Sequence, residues 1–200
     1  HFAIRRQRQM CIRDRYNSSR LPGKILKKIN GKPILTYIIE RLKCVQNLDD
    51  FIVATSINTT DQPIVDYCIK NQIKYFRGSL ENVAERFLHA GLKFHYDYAI
   101  RVNGDNLFLD HKLISEMISV LDLNHYDLVS NVKDRTFPKG ISVEIVNINF
   151  YKKLFNEFNH SKYQEHVTNY MYEYPDCGNF YHFINHLSLI HISEPTRPDE

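Results

Sequence analysis

Ten residues, Arg15 to Lys24, read Arg-Tyr-Asn-Ser-Ser-Arg-Leu-Pro-Gly-Lys and gather three cationic side chains, two serines, a proline and a glycine. Apolar periodicity resumes soon after, in Gly31-Lys-Pro-Ile-Leu-Thr-Tyr-Ile-Ile39. A basic, hydroxyl-rich loop that leads towards a helix start suits a polyphosphate, because backbone N–H groups, a helix N-terminus and Lys or Arg can all point at one anion. Arg15, Arg20 and Lys24 are the candidate cations, and Ser18 and Ser19 can donate to phosphate or shape the loop. The Walker pattern, Gly-x4-Gly-Lys-Ser/Thr, is absent.

Other chemistry-bearing groups follow down the chain. Asp105 sits in Asn-Gly-Asp-Asn directly after a short apolar run. A lone Asp there can hold Mg²⁺ as a hard oxygen ligand while phosphates supply the rest; it can equally be part of an Asn/Asp turn. Arg77-Gly78-Ser79 leads to Glu81-Asn82 and Arg86, and by itself reads as an ordinary helix cap. Glu144 is either a second metal ligand facing a crevice or a solvent-facing carboxylate. His166, after Glu165, contacts a substrate acid or phosphate, or serves as a structural histidine. The remaining histidines lack metal-ligand spacing, and no Gly-x-Ser-x-Gly elbow occurs.

These groups need a scaffold that brings them together. Gly31-Lys32-Pro33 is expected to open a helix with Ile34, Leu35, Ile38, Ile39 and Leu42 as its apolar stripe. Residues 51–55 read as a buried strand and 62–71 as a helix. A brief strand at 73–76 precedes a helix over 81–93 capped by Ser79. The strand 98–102 runs into Asn103–Asn106, and Asp110 caps a helix with Leu113, Ile114, Met117, Ile118 and Leu121 inside. Residues 127–132 read as a strand. Residues 141–146 alternate, which predicts a strand exposed on one side. Helices are expected over 149–158 and 165–172. Strands alternating with helices imply an α/β domain of three layers around a largely parallel sheet. Ligands of such sheets lie beyond the carboxyl ends of the strands, and the basic loop, expected at the sheet edge of the crevice, falls there with Asp105.

Composition narrows the class. Two hundred residues suggest one domain with a substantial core. No run of eighteen apolar residues occurs, so no membrane span is expected. A net charge of +3, spread along the chain, is too mild to argue for nucleic acid. Cysteines at 11, 44, 68 and 177 form no Cys-x-x-Cys pair, which fits a reduced, cytoplasmic protein.

Arg15 to Lys24 followed by Gly31-Lys-Pro33 resembles the N-terminal signature of the sugar cytidylyltransferases. These include the acylneuraminate and 3-deoxy-manno-octulosonate enzymes, and the resemblance is closest to the branch named for spore-coat polysaccharide biosynthesis protein F. Val53-Ala-Thr-Ser56 with Asp61, Phe76-Arg-Gly-Ser79 with Glu81-Asn-Val83 and Arg86, and Arg101-Val-Asn-Gly-Asp105 match in order. Phe137-Pro-Lys-Gly-Ile-Ser-Val-Glu144 and Glu165-His-Val-Thr168 continue the match. The resemblance implies a Rossmann-like nucleotide-diphospho-sugar transferase fold with a mostly parallel mixed sheet. It implies an enzyme that uses CTP and Mg²⁺ and releases pyrophosphate, forming a CMP-linked sugar acid of the nonulosonate kind for surface polysaccharide or glycoconjugate synthesis. A homodimer is the implied assembly.

The resemblance also assigns roles. Arg15, Arg20 and Lys24 neutralise the triphosphate, and Asp105, with Glu144 as a second ligand, holds the metal. Ser18, Ser19, Arg77, Ser79 and Asn82 bind the nucleotide, while Glu144 and His166 face the acceptor. Two alternatives stay open: transfer with another base or acceptor, and a catalytically silent nucleotide-sugar binding module.

The ends depart from the family pattern. An apolar strand is expected before the basic loop, where Cys11-Ile12-Arg13-Asp14 stands. Residues 1–14 and 187–200 resemble translated sequencing adapters, or else are a basic arm and a polar tail. On the first reading the domain runs from 15 to 186, truncated at both ends, its first strand is lost or replaced, and this chain is unstable or inactive as written.

Overall fold

The computed structural model describes residues 8–13, 21–138, 140–158 and 160–185. Its strands are β1 (Arg8–Arg13), β2 (Lys28–Ile29), β3 (Lys32–Pro33), β4 (Asp50–Ser56), β5 (Tyr75–Gly78), β6 (Tyr98–Asn103), β7 (Leu128–Ser130), β8 (Glu144–Asn147) and β9 (Phe180–His182). The helices are α1 (Ile34–Leu42), α2 (Gln62–Lys70), α3 (Val83–Lys93), α4 (His111–Leu123), α5 (Ile148–Phe155), α6 (Ser161–Glu165) and α7 (Asn169–Glu173). Among the described residues the main sheet has seven strands in the order β5-β4-β1-β6-β8-β7-β9. Every neighbouring pair is parallel except those made by β8, which runs against both β6 and β7. This is the mixed, mostly parallel α/β architecture that the alternation predicts.

Period-two alternation divides the strand residues between two cores. Ile12, Val53, Ile100, Val102, Val129 and Ile145 face α1, α2 and α4. Cys11, Ile52, Ala54, Ala99, Leu128 and Val146 face α3, α5, α6 and α7. The helices supply matching stripes: Leu35, Ile38, Ile39 and Leu42 on α1, and Ile114, Met117, Ile118 and Leu121 on α4, all buried. Asp110 caps α4 as expected, its carboxylate accepting from the N–H groups of Lys112 and Leu113.

Four expectations are corrected. First, the central strand is present. Met10, Cys11 and Ile12 are buried, and β1 pairs with β4 on one side and β6 on the other, so the folded unit includes residues before position 15 and the basic loop leaves the middle of the sheet rather than its edge. Second, Gly31-Lys32-Pro33 does not open a helix. Asn30 and Gly31 have φ of 49° and 77° and turn a two-residue hairpin between β2 and β3, the Asn-Gly preference of a type I′ turn; α1 starts at Ile34. Third, β8 is buried on both faces, because it lies between β6 and β7. Fourth, 165–172 is not one helix. α6 ends at Glu165, residues 166–168 turn, and α7 begins at Asn169.

Candidate active site

Because β6 and β7 point the same way and β8 returns between them, β8 begins at the end of the sheet where the parallel strands finish. One ladder row there is polar. Arg101 of β6 pairs in register with Glu144 of β8, Glu144 with Ser130 of β7, and Ser130 with His182 of β9. Directly opposed residues put their side chains on the same face of the sheet, here the face covered by α6 and α7. Tyr172 of α7 lies over the row. Its hydroxyl donates to Glu144 Oε1 at 2.8 Å and sits 2.5 Å from Ser130 Oγ, and its ring stacks on His182.

Glu144 is only 3% exposed, and Arg101 Nη1 donates to its Oε2. Burial raises the pKa of Glu144, but the Arg101 charge and hydrogen bonds from Thr168, Tyr172 and Arg101 outweigh it, holding the carboxyl below its ordinary range. Glu144 is therefore neither solvent-facing nor an open metal ligand: guanidinium and hydroxyl groups already hold both its oxygens. A cavity of about 230 Å³ opens over this pair, lined by Arg101, Asn103, Ser142, Glu144, His166 and Thr168 among others. His166, at the break between α6 and α7, is exposed at its rim. The two acceptor-side candidates thus share one cavity.

The second cluster lies after β6. Lys24 opens a 3-10 turn that follows Gly23, whose φ of 67° is left-handed. Its Nζ donates to Asp105 Oδ2 at 2.6 Å. The loop lysine and the candidate metal aspartate therefore touch across the gap between β1 and β6, the switch point where the chain, having built β4 and β5 on one side of β1, returns to its other side. Asp105 lines a second cavity of about 670 Å³ with Asn103, Asn106, Asn131 and Arg135. The two cavities share Asn103, Val132 and Ser142. Arg15, Ser18, Ser19 and Arg20 lie outside the described residues.

The third cluster lies after β5. Arg77 donates to the carbonyls of Ser56, Ile57 and Asn58 and to Gln62 Oε1, at 3.0–3.1 Å. From the other side, buried Asp61 accepts from Thr55 Oγ1, Ser56 N and Ser56 Oγ. Arg77 is thus a clamp on the 56–58 loop. Asn82, not Ser79, caps α3: its Oδ1 accepts from Glu85 N, while Ser79 Oγ accepts from Asn82 N. Ser79 also lines a cavity of about 590 Å³ with Ile57, Asn58, Glu81 and His89. Gly78 has to lack a side chain, since a Cβ would lie 2.8 Å from Arg86 Cγ.

The clusters follow one another along the carboxyl edge of the sheet. Residues 77–82 follow β5, Lys24 and Asp105 meet between β1 and β6, and Glu144 starts β8. From β5 to β6 is three strand spacings of about 4.8 Å, roughly 14 Å, enough to lay out an extended nucleoside triphosphate. Sequence reasoning missed Arg101, Tyr172 and Thr168 as site residues. Arg101 had a signal: a charge inside the apolar strand Tyr-Ala-Ile-Arg-Val requires a buried partner.

An α/β sheet with polar clusters at its switch point and carboxyl edge defines a nucleotide-binding protein. Comparison with known proteins sharpens the class. The family model described as cytidylyltransferase matches residues 10–193, and the chain belongs to that family of CTP-dependent nucleotidyltransferases. An uncharacterized protein of Methanocaldococcus jannaschii is 35% identical over 165 residues, covering 82% of this chain and 67% of the relative. Spore coat polysaccharide biosynthesis protein SpsF of Bacillus subtilis is 34% identical over 173 residues, covering 82% and 69%. An 8-amino-3,8-dideoxy-manno-octulosonate cytidylyltransferase of Shewanella pealeana is 34% identical over 124 residues, but this chain spans only 46% of it. Among solved structures, a cytidylyltransferase from Leptospira borgpetersenii superposes with a TM-score of 0.86 at 27% identity, covering 90% of this chain and 77% of that one. No helix among the described residues is long and apolar enough to cross a membrane.

Proposed function

We propose that this protein transfers CMP from CTP to a hydroxyl of a sugar acid and releases pyrophosphate, in the synthesis of a surface polysaccharide or glycoconjugate. The observation that carries the reading is the order of clusters along one sheet edge: a nucleoside-side segment at 77–82, Lys24 with Asp105 at the switch point, and a polar cavity over Arg101 and Glu144. The relatives add weight, since one is named for spore coat polysaccharide biosynthesis and another for an octulosonate acceptor.

In this reading Arg15, Arg20 and Lys24 neutralise the triphosphate and the charge that grows on departing pyrophosphate. Ser18, Ser19, Ser79 and Asn82 orient the nucleotide, and Arg77 fixes the loop beside it. The cavity over Glu144 and His166 seats the acceptor so that its hydroxyl lies in line with the α-phosphorus, and positioning supplies much of the acceleration. Among the described residues no three His, Cys, Asp or Glu side chains converge on a metal position. One half-exposed carboxylate, Asp105, amid the side-chain oxygens of Asn103, Asn106 and Asn131 does suit Mg²⁺, which is commonly held by one or two carboxylates plus substrate phosphates. Bound there, Mg²⁺ would polarise the reacting phosphate.

The test is pyrophosphate release from the purified chain with CTP, ATP, GTP and UTP against a panel of nonulosonic and octulosonic acids. CTP-selective release that requires a sugar acid, and that Asp105→Asn abolishes, is expected. Release with a different nucleotide, or CTP binding with no turnover on any acid, would replace the reading with another transferase or a silent binding module.

A further inference from the structure

The acceptor cavity holds a cation that neither its ion pair nor the rest of the site uses fully. Arg101 lines the cavity, and its side chain is 15% exposed. A guanidinium offers five N–H donors in a planar fork. Glu144 takes only Nη1. Nε is buried and has no hydrogen-bond partner, and Nη2 makes no bond to any described residue. A buried N–H without a partner is costly, and a cavity lined by such a group is incomplete without an acceptor atom in it.

Resting on the sugar-acid reading above, we propose that Arg101 binds the carboxylate of the acceptor through the donors that Glu144 leaves free, and so sets the preference for an acid over a neutral sugar. Three observations converge on this. The planar fork matches a carboxylate, which Arg holds with two parallel bonds where Lys offers a point charge. Glu144 fixes the plane of the fork, and Glu144 is itself fixed by Tyr172 and Thr168, so the guanidinium is oriented before the acceptor arrives. The surrounding groups are neutral donors and acceptors suited to sugar hydroxyls: Asn103, Ser142, Thr168 and Asn169, with His166 at the rim. Arg101 also lies one strand position from Val102 and two from Asn103, which the cavity shares with the one lined by Asp105. A carboxylate on Arg101 therefore anchors the sugar beside the position where the nucleotide phosphates are proposed to lie.

The experiment measures binding by calorimetry on the whole chain loaded with α,β-methylene-CTP. Ligands are N-acetylneuraminate and 3-deoxy-manno-octulosonate, the methyl ester of each, and a sugar phosphate. For the unaltered protein, at least one acid is expected to bind tenfold to a hundredfold tighter than its ester, the span of one or two charge-assisted hydrogen bonds. Arg101→Lys keeps the charge and a partner for Glu144 but lacks the fork. It should narrow the acid-to-ester ratio to within about threefold, a tenth or less of the original at the upper end, and raise the acid's KM while leaving the KM for CTP unchanged. A merely structural role for Arg101 would weaken both ligands together. Should Arg101→Lys fail to fold, the paired variant Arg101→Met with Glu144→Met removes both charges and is read the same way. An acid-to-ester ratio that survives either variant overturns the assignment of Arg101 alone. Tight binding of the sugar phosphate with no binding of either acid overturns the sugar-acid reading itself, and Arg101's role with it.

Discussion

Replacing Glu144 by Leu should destabilise the protein by about 3 kcal/mol, and the reasoning starts from which charge is stranded. Glu144 is almost completely buried, and its partner Arg101 is mostly so. Removing one member of a buried pair costs about 3–5 kcal/mol, because the remaining charge stays in a medium that solvates it poorly. Arg101 borders a cavity and can recover some hydration there, which argues for the lower end. For a chain of this size each kcal/mol moves Tm by roughly 2–4 °C, so Glu144→Leu should lower Tm by about 6–12 °C. Removing both charges is different: Arg101→Met with Glu144→Leu leaves no stranded ion, and should regain at least about half of the loss. The assay is urea and thermal unfolding of the single and double variants with unchanged m-values. A loss under about 1 kcal/mol, or a double variant no more stable than Glu144→Leu, would refute the pairing energetics. The pH dependence gives an independent check. The folded pKa of Glu144 lies below its model value of 4.5, so its contribution is complete at neutral pH and disappears as pH falls below about 4.5 through the folded value. Glu144→Leu should flatten that acid limb.

Three further outcomes are expected. Lys24→Met breaks a half-exposed ion pair with Asp105, so it should change stability by no more than about 1 kcal/mol, while CTP-dependent pyrophosphate release falls at least about 100-fold, as for loss of a donor that stabilises developing charge. Arg77→Met removes three guanidinium-to-carbonyl bonds from the 56–58 loop and should cost about 2 kcal/mol in unfolding free energy, with KM for CTP rising more than kcat falls. Burial, then the nearby Lys133, lowers the pKa of His182 from 6.5, against a smaller opposing pull from Asp134. The folded state thus favours the neutral ring, and stability should fall as pH drops below 6.5 towards the folded value, a slope that His182→Gln removes in unfolding titrations.

Much of the fold was legible because its signals are local. The apolar stripes of α1 and α4, the Asp110 cap and the β-branched run in β4 each follow from a few neighbouring residues. The failures came where distant pairing decides. Residues 141–146 alternate as a half-exposed strand does, and only insertion of β8 between β6 and β7 buries its second face. β1 was set aside because Arg13 and Asp14 follow it, yet Met10-Cys11-Ile12 is apolar enough to take the centre of the sheet. The Asn30-Gly31 hairpin was legible and overlooked, since Pro33 drew attention to the helix. In the site, Lys24, Asp105, Glu144 and His166 were found by type and spacing. The Arg101–Glu144 register and the Tyr172 contact depend on which strands become neighbours, and no local spacing encodes that.

The place of β1 has a consequence for how the chain is made. Its two partners, residues 50–56 and 98–103, are synthesised long after it. Neither ladder can close until its partner has left the ribosome, and the second waits until about half of the chain has emerged, so hairpin-by-hairpin assembly from the N-terminal side is impossible. Until then Met10, Cys11 and Ile12 belong to an apolar segment with open edges, which makes the growing polypeptide a natural client for holding chaperones. Folding of the central sheet is thus gated by translation through β6, the strand that also carries Arg101 and leads to Asp105.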